Sequence, residues 1–126
     1  MTSPNETVIK NFLKEFEVAA PDAAKVGEYF TEDAVYHNIP MDPINGKAAI
    51  VATVASWKAM MSCAGWEVLN QASHGDVVMN ERIDRFVTAA GKPIALPVVG
   101  VFELRDGKIA AWRDYFDMAQ FRAAFG

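Results

Sequence analysis

The sequence is poor in the residues that build disulfides and transition-metal sites. It has one cysteine, Cys63, so it cannot form an internal disulfide, and a reducing compartment is the expected one. His37 and His74 are its only histidines. Because no cysteine and histidine residues cluster at ligand spacing, the sequence gives no support for a zinc-type site. Chemistry in this chain is therefore expected from carboxylates, amides, phenols and guanidinium groups.

Basic charge and long apolar runs are also scarce. The net charge is −4 and no run of lysine and arginine occurs, which gives no support for nucleic-acid binding. The longest low-charge stretch, residues 48–57, is too short to span a bilayer, and the first residues lack the features of a secretory signal. From these features we expect a soluble, cytoplasmic chain that forms one domain over residues 1–126.

The first half of the chain has the apolar spacing of helices. Residues 3–6, Ser-Pro-Asn-Glu, have the order of a capping box with proline at the first helical position, and the helix that follows is expected to end at Pro21. Two more helices are predicted, over residues 22–30 and 47–61. A short extended segment lies between them at residues 34–40.

After Gly65 the pattern changes to the alternation of β-strands. Four strands are predicted, at residues 66–73, 77–88, 94–104 and 108–117, and a short helix follows them. Three helices followed by an antiparallel meander predict an α+β roll, in which the helices cover one face of a curved sheet.

The last predicted strand contains the residue that most needs an explanation. The Asp-Gly pair at 106–107 lies between apolar runs and predicts a hairpin turn. Because strand side chains alternate between faces, Trp112, Asp114 and Phe116 share one face and Ile109 belongs to the other. A carboxylate between two large aromatic side chains on a buried face must find partners or shift its pKa.

Arg82 and Asp84 are the first candidate partners of Asp114. They lie two residues apart in a predicted strand and so share a face. If all three face one cavity, the guanidinium can bond both carboxylates, and one aspartate would take a proton while the other gives one. The alternatives are a structural ion pair at Asp114 and an exposed salt bridge between Arg82 and Asp84.

Tyr36 and Asn38 would complete such a site. They are also two residues apart, so they point the same way, and a phenol and an amide can orient a water molecule. Water held by both side chains and by ionised Asp114 would be a positioned nucleophile, with no need for a metal ion. Alternatively, Tyr36 is a core tyrosine and Asn38 is a turn residue before Pro40.

Together these segments resemble the three motifs of the limonene-1,2-epoxide hydrolase family. The resemblance rests on residues 36–40 (Tyr-His-Asn-Ile-Pro), 81–84 (Glu-Arg-Ile-Asp) and 112–117 (Trp-Arg-Asp-Tyr-Phe-Asp), in the same order and at similar spacing. It implies a cofactor-free, homodimeric hydrolase on the cystatin-like roll of nuclear transport factor 2. It also implies that an Asp–Arg–Asp triad opens an epoxide by direct attack of water, without a covalent intermediate.

The resemblance gives each of these residues an expected role. Asp114 would be the general base, Asp84 the general acid that protonates the epoxide oxygen, and Arg82 the bridge between the two carboxylates. Tyr36 and Asn38 would help Asp114 hold the water. The product would be a vicinal diol.

Apolar residues near these positions are expected to form the substrate pocket, because small lipophilic ligands bind in apolar cavities with a few polar groups. The predicted pocket residues are Leu13, Trp57, Met61, Leu96, Val98, Phe116 and Phe121. The opposite face of the sheet, which carries Tyr115 and Val99, is the candidate dimer surface.

The same roll also hosts other functions, and a fold does not fix a function. The alternatives are a ketosteroid isomerase, a SnoaL-type polyketide cyclase and a non-catalytic ligand-binding module. Arg82 between two acids disfavours the isomerase, because its charge would keep both carboxylates more ionised. A binding module would have no need for five polar groups directed into one apolar cavity.

Overall fold

The chain forms a six-stranded sheet with helices packed on one of its faces. The computed structural model describes residues 3–126. The helices are α1 (Pro4–Lys14), α2 (Ala23–Gly27), α3 (Lys47–Ser56), followed by a 3₁₀ turn (Trp57–Ala59), and α4 (Met118–Phe125). The strands are β1 (Phe30–Asn38), β2 (Ile44–Asn45), β3 (Met61–His74), β4 (Val77–Thr88), β5 (Pro93–Arg105) and β6 (Lys108–Tyr115). Among the described residues, no helix is long and apolar enough to cross a bilayer.

The sheet is mixed, with strand order β2-β1-β6-β5-β4-β3. β3, β4, β5 and β6 form the predicted antiparallel meander. β6, the last strand, also pairs in parallel with β1, the first strand. We call the face covered by the helices the inner face and the opposite one the outer face. The α+β roll predicted from the order of elements is confirmed.

The start of α1 was predicted correctly, but its end was not. Ser3 is the N-cap, and its side chain accepts a hydrogen bond from the Glu6 amide at 3.1 Å. The helix ends at Lys14 and does not continue to Pro21. The carbonyl of Ala19 instead accepts the backbone N–H of Cys63, at 2.9 Å. β3 is an edge strand, so the N–H of Cys63 has no neighbouring strand on that side and bonds the loop after α1 instead. Helical periodicity in the sequence does not predict this pairing.

The boundaries of the next two helices also differ from the prediction. α2 is shorter than residues 22–30, and α3 ends at Ser56, so Met61 begins a strand. Gly65 lies inside β3 with φ 95°, at a shift in the pairing between β3 and β4. A glycine with positive φ suits a β-bulge, so it interrupts the alternation of the strand without ending it.

The hairpin between β5 and β6 forms at the predicted pair. Asp106 and Gly107 both have positive φ, 53° and 77°, as a two-residue hairpin turn requires. A shift in the β5–β6 register then makes Ala110 an extra residue on β6. Ile109 is therefore fully buried on the inner face together with Trp112. The prediction that Ile109 faces the other way was wrong because strict alternation does not allow for the bulge.

Aromatic side chains fill the core between the helices and the sheet. Phe12 of α1 packs edge-on against Trp112 of β6, with ring centroids 5.0 Å apart. Phe16, just beyond α1, stacks on Trp66 of β3 at 4.0 Å. Edge-on and stacked pairs of this kind add stabilisation beyond the apolar area that they bury. The inner face next to Asp114 is therefore packed with aromatic rings.

Candidate active site

Three charged side chains are buried together on the inner face. Arg82 has no exposed surface, and Asp84 and Asp114 are 6% and 3% exposed. Alternation along β4 directs Arg82 and Asp84 inward, as predicted, and β6 directs Asp114 toward them. Buried charges are costly unless they are paired, so the contacts within this cluster decide its chemistry.

The Arg82 guanidinium binds both carboxylates. Its Nε and Nη2 donate to the two oxygens of Asp84, at 2.9 and 3.0 Å. The same Nη2 also donates to Asp114 Oδ2, at 2.9 Å. This is the guanidinium between two acids that the sequence predicted. The alternative of an exposed salt bridge between Arg82 and Asp84 is wrong, because both side chains are buried.

Asp114 has a second partner that the sequence analysis did not assign. The indole Nε1 of Trp112 donates to Asp114 Oδ1, at 2.8 Å. Trp112 lies two residues before Asp114 on the same face, so strand alternation contained the signal for this bond. With Arg82 on one oxygen and Trp112 on the other, the orientation of the Asp114 carboxylate is fixed.

The environment favours a proton on Asp84. Burial raises the pKa of Asp84 to about 6, although the charge and hydrogen bonds of Arg82 act against this rise. The negative charge of Asp114 adds to it. Near neutral pH, Asp84 therefore holds a proton far more readily than a solvated aspartate does. Such a group can donate a proton to a bound ligand.

Tyr36 and Asn38 lie beside Asp114 because β1 is parallel to β6. Asn38 is the register partner of Asp114, and Tyr36 is that of Trp112. The Tyr36 ring stacks on Trp112 at 3.8 Å, and its hydroxyl donates to Asn38 Oδ1 at 3.2 Å. Burial and the charge of Asp114 raise the pKa of Tyr36 well above its usual range. The phenol is therefore neutral and can act as a hydrogen-bond partner.

These groups meet in a cavity of about 350 Å³. Its polar lining includes Tyr36, Asn38, Asp84 and Asp114, whereas Arg82 lies behind the carboxylates and outside the lining. The predicted pocket residues that line it are Trp57, Met61, Leu96, Val98, Phe116 and Phe121. The exception is Leu13, which is buried in the core beneath α1 and does not line the cavity. α1 turns this side chain toward the aromatic core.

Several lining residues were not predicted: Met41, Asp42, Ile44, Thr53, Met60, Trp66 and Phe86. Phe86 shares its strand face with Arg82 and Asp84, so alternation could have identified it. Trp66 follows the bulge in β3 and was missed with it. Met41, Asp42 and Met60 lie on connections between elements, for which the sequence has no periodic signal.

A family model matches almost the whole chain. Residues 3–125 match the model of the limonene-1,2-epoxide hydrolase catalytic domain. The chain belongs to the limonene-1,2-epoxide hydrolase family. The resemblance in the three motifs is thereby confirmed over nearly the whole chain.

Individual relatives support the same assignment. Over 89 residues the chain is 34% identical to epoxide hydrolase EphG of Mycobacterium tuberculosis, a match that covers 69% of this chain and 57% of EphG. The solved structure of an M. tuberculosis LEH-like epoxide hydrolase superposes with a TM-score of 0.84 at 25% identity, covering 98% of this chain and 91% of that one. The chain thus resembles two epoxide hydrolases, and its match spans just over half the length of EphG.

The wider fold group is also evident. An NTF2-like protein of unknown function from Burkholderia pseudomallei superposes with a TM-score of 0.82, covering 98% of both chains at 16% identity. At that identity the likeness concerns the fold alone. It confirms the cystatin-like roll of nuclear transport factor 2.

Proposed function

We propose that this protein hydrolyses a small lipophilic epoxide, cyclic or terpene-like, to a vicinal diol by direct attack of water. The observation that carries the proposal is that Asp84 and Asp114 bind the same Nη2 of a fully buried arginine at the wall of an apolar cavity. One acid in such a pair can give a proton while the other takes one.

In the proposed reaction Asp114 is the general base. Water held by Tyr36, Asn38 and ionised Asp114 attacks one epoxide carbon and gives a proton to Asp114 as the new C–O bond forms. The C–O bond between the attacked carbon and the ring oxygen breaks at the same time, and Asp84 protonates that oxygen, which stays bonded to the other carbon. The products are the diol, protonated Asp114 and ionised Asp84. Transfer of one proton from Asp114 back to Asp84 restores the starting state.

The protonation states support these roles. The raised pKa of Asp84, about 6, allows it to hold the proton that the epoxide oxygen needs. Arg82 bonds both acids and is positively charged throughout, so it stabilises whichever carboxylate is ionised. Neither role requires a covalent bond between the substrate and the protein.

The cavity fits a small apolar substrate. Its volume, about 350 Å³, lies at the small end of the usual range for ligand pockets. Tryptophan, methionine, isoleucine, leucine, valine and phenylalanine side chains make up most of the lining around the polar groups of the cavity. A neutral hydrocarbon ring with one epoxide oxygen would place that oxygen near the polar groups and bury the rest against the apolar wall.

We also propose that the chain forms a homodimer through the outer face. Four apolar side chains are exposed there, and each shows two-fifths to half of its surface: Leu69, Met79, Val99 and Tyr115. Val99 and Tyr115 are cross-strand partners, so the exposed surface is continuous across β5 and β6. Exposed apolar patches on a sheet face are typical of interaction sites.

The first experiment measures diol formation from a panel of cyclic and terpene epoxides by the native protein and by Asp114→Asn. Loss of a general base is expected to lower kcat/KM by about 10²–10⁴-fold. Asp106→Asn is the matched control, because Asp106 makes the hairpin turn far from the cavity and asparagine tolerates its positive φ. Its activity should equal that of the native protein.

A single turnover in H₂¹⁸O tests the direct attack of water. Label in the diol after the first turnover supports the proposal, whereas label that first appears in an aspartate carboxylate indicates a covalent intermediate. If the native protein opens none of the epoxides, the proposal fails, and steroid enones would then be tested for isomerisation. If Asp114→Asn keeps full activity, Asp114 is not the base.

A further inference from the structure

Arg82 has a third side-chain partner that the proposed reaction does not use. Its Nη1 donates to Asn80 Oδ1 at 3.0 Å, on the side of the guanidinium away from Asp114. Asn80 is 2% exposed and does not line the cavity. A buried amide that touches the arginine but cannot touch the substrate must act, if it acts at all, through Arg82.

The register of the sheet explains why Asn80 and Asp114 lie on opposite sides of the guanidinium. Asp114 on β6, Gly100 on β5 and Asn80 on β4 form one row of register partners across the inner face. A Cβ atom at Gly100 would lie 2.3 Å from Arg82 Nη1, 2.9 Å from Asp114 Oδ1 and 3.0 Å from Asn80 Oδ1. The guanidinium therefore lies directly over Gly100, between the carboxylate and the amide.

The orientation of the Asn80 amide follows from hydrogen-bond chemistry. Arginine has only donors, so Asn80 must present its oxygen to Nη1 and turn its NH₂ group away. That NH₂ donates to Gln71 Oε1 at 3.2 Å, and the Gln71 NH₂ donates to the backbone carbonyl of Glu6 at 3.4 Å. The chain of donors and acceptors runs in one direction from Arg82 to α1, and each amide fixes the next.

We infer that Asn80 is a positioning residue for Arg82: held by Gln71, its amide oxygen fixes the guanidinium over Gly100 so that Nη2 bridges Asp84 and Asp114. Without this acceptor, Nη1 has a buried, unpaired N–H group, and the guanidinium is free to turn toward one carboxylate and away from the other. The bridge on which the proton transfers depend would then be weakened. The inference rests on the proposed function where it concerns the reaction, but the geometry of Arg82 can be tested without any substrate.

The pH readout of this inference depends on a small set of groups. Asp84 is faced by Arg82 on its own strand, Asp114 on β6, Cys63 on β3 and Tyr36 on β1. Burial raises the pKa of the Cys63 thiol to about 11 and that of Tyr36 well above its usual range. Both stay neutral below pH 8, so neither adds a charge that would shift the Asp84 titration in this range.

The experiment compares Asn80→Asp, Asn80→Ala and the native protein. Asn80→Asp keeps the shape and the acceptor but adds a third carboxylate that competes for the guanidinium. We expect it to raise the midpoint of the Asp84 carboxyl ¹³C NMR titration by about one unit or more, because a nearby like charge and a weaker arginine bond both favour the proton. Asn70→Asp is the matched control, since Asn70 is exposed and bonds Glu81 rather than Arg82. It should leave the midpoint unchanged.

The kinetic readout uses Asn80→Ala on the epoxide that the native protein turns over best. Because Asn80 lies outside the cavity, we expect KM to stay within about twofold while kcat falls about 10- to 100-fold, as expected when a catalytic group is slightly misplaced. Gln71→Met, which removes the support but not Asn80 itself, should change kcat in the same direction by a smaller factor. The thermal midpoint of each variant shows whether it is folded.

The two readouts separate the possible failures. If the Asp84 midpoint does not move in Asn80→Asp, or if Asn80→Ala keeps the native kcat, the inference is overturned. If the native protein opens no epoxide, the proposed function fails, and the NMR titration alone decides whether Asn80 positions Arg82.

Discussion

The two faces of the sheet carry the same kind of ion pair in opposite environments. On the inner face, Arg82 is fully buried and bonds Asp84 and Asp114. On the outer face, the Arg85–Glu67 pair has a similar N–O distance, 2.9 Å, but about half of each side chain is exposed. The bond lengths do not distinguish the two clusters, whereas the access of water does.

This difference decides which cluster can do chemistry. Water and salt screen an exposed pair, which therefore contributes little to stability. In the buried cluster the same charges interact strongly, and burial raises the pKa of Asp84 to about 6. Arg82 and Arg85 are only three residues apart on β4, so the alternation of the strand alone separates a structural pair from a candidate catalytic one.

The largest expected contrast is in stability. Arg82→Met should lower the free energy of unfolding by about 3–5 kcal/mol, because two buried carboxylates lose their counter-charge. Arg85→Met, the same change on the outer face of the same strand, should lower it by at most about 1 kcal/mol. Urea unfolding at pH 7 measures both. Equal effects would show that burial does not set the difference between the two clusters.

The next contrast is in the pH dependence of stability. The folded-state pKa of Asp84, about 6, lies above its ordinary value of 3.8, so between these values the folded protein binds more protons than the unfolded chain. Stability from this group is therefore full below about pH 4 and is lost as the pH rises to about 6, by at most about 3 kcal/mol.

Unfolding curves for the native protein and for Asp84→Asn at several pH values test this expectation. The difference between the two free energies should change through this window and be flat above it. Glu103→Gln is the outer-face control, since Glu103 is an exposed partner of Arg113. Its curve should stay parallel to that of the native protein. A parallel curve for Asp84→Asn would show that the pKa of Asp84 is not raised.

A smaller effect on stability is expected at Gly100, the inner-face position that has no side chain. Gly100→Ala places a methyl group against the Arg82 guanidinium and should cost about 1–3 kcal/mol through overpacking, together with a loss of epoxide opening. Ala95→Val adds bulk to the outward side of the same strand, where Ala95 is exposed, and should change stability by less than about 0.5 kcal/mol. Thermal unfolding and the diol assay measure both, and a fully active Gly100→Ala would show that Arg82 is free to move.

The parts of the site that depend on local periodicity were predictable from the sequence. Alternation along β4 placed Arg82 and Asp84 on one face, and the Asp-Gly turn fixed the strand that carries Asp114. These signals need only a period of two and a turn of known geometry. They do not reveal distances, so the bidentate contact of Arg82 with Asp84 became visible only in the structure.

The parts that depend on contacts between distant segments were not predictable. The bulge at Ala110 reverses the expected side of Ile109, and the bulge at Gly65 hides the first third of β3. Met41 and Asp42 line the cavity from a loop whose path is set by the rest of the fold. A bulge or a loop has no repeating pattern, so sequence periodicity carries no information about it.

The smallest change in the stability of a single chain is expected for a substitution on the outer face. Such a substitution should instead weaken the association of two chains. Val99→Lys puts a charge on an exposed side chain, so the monomer should lose less than about 0.5 kcal/mol. In a two-fold dimer every substitution occurs twice and faces the same surface, so two added charges would be brought together. We expect sedimentation equilibrium to show the proposed dimer in the native protein and a shift toward monomer in Val99→Lys. Val18→Lys makes the same change on the loop after α1, which carries none of the four outer-face side chains. Val18 is 55% exposed, and the substitution should leave the proposed dimer intact. A native protein that sediments as a monomer would show that the outer face does not self-associate under those conditions, and the exposed apolar residues would then require another partner.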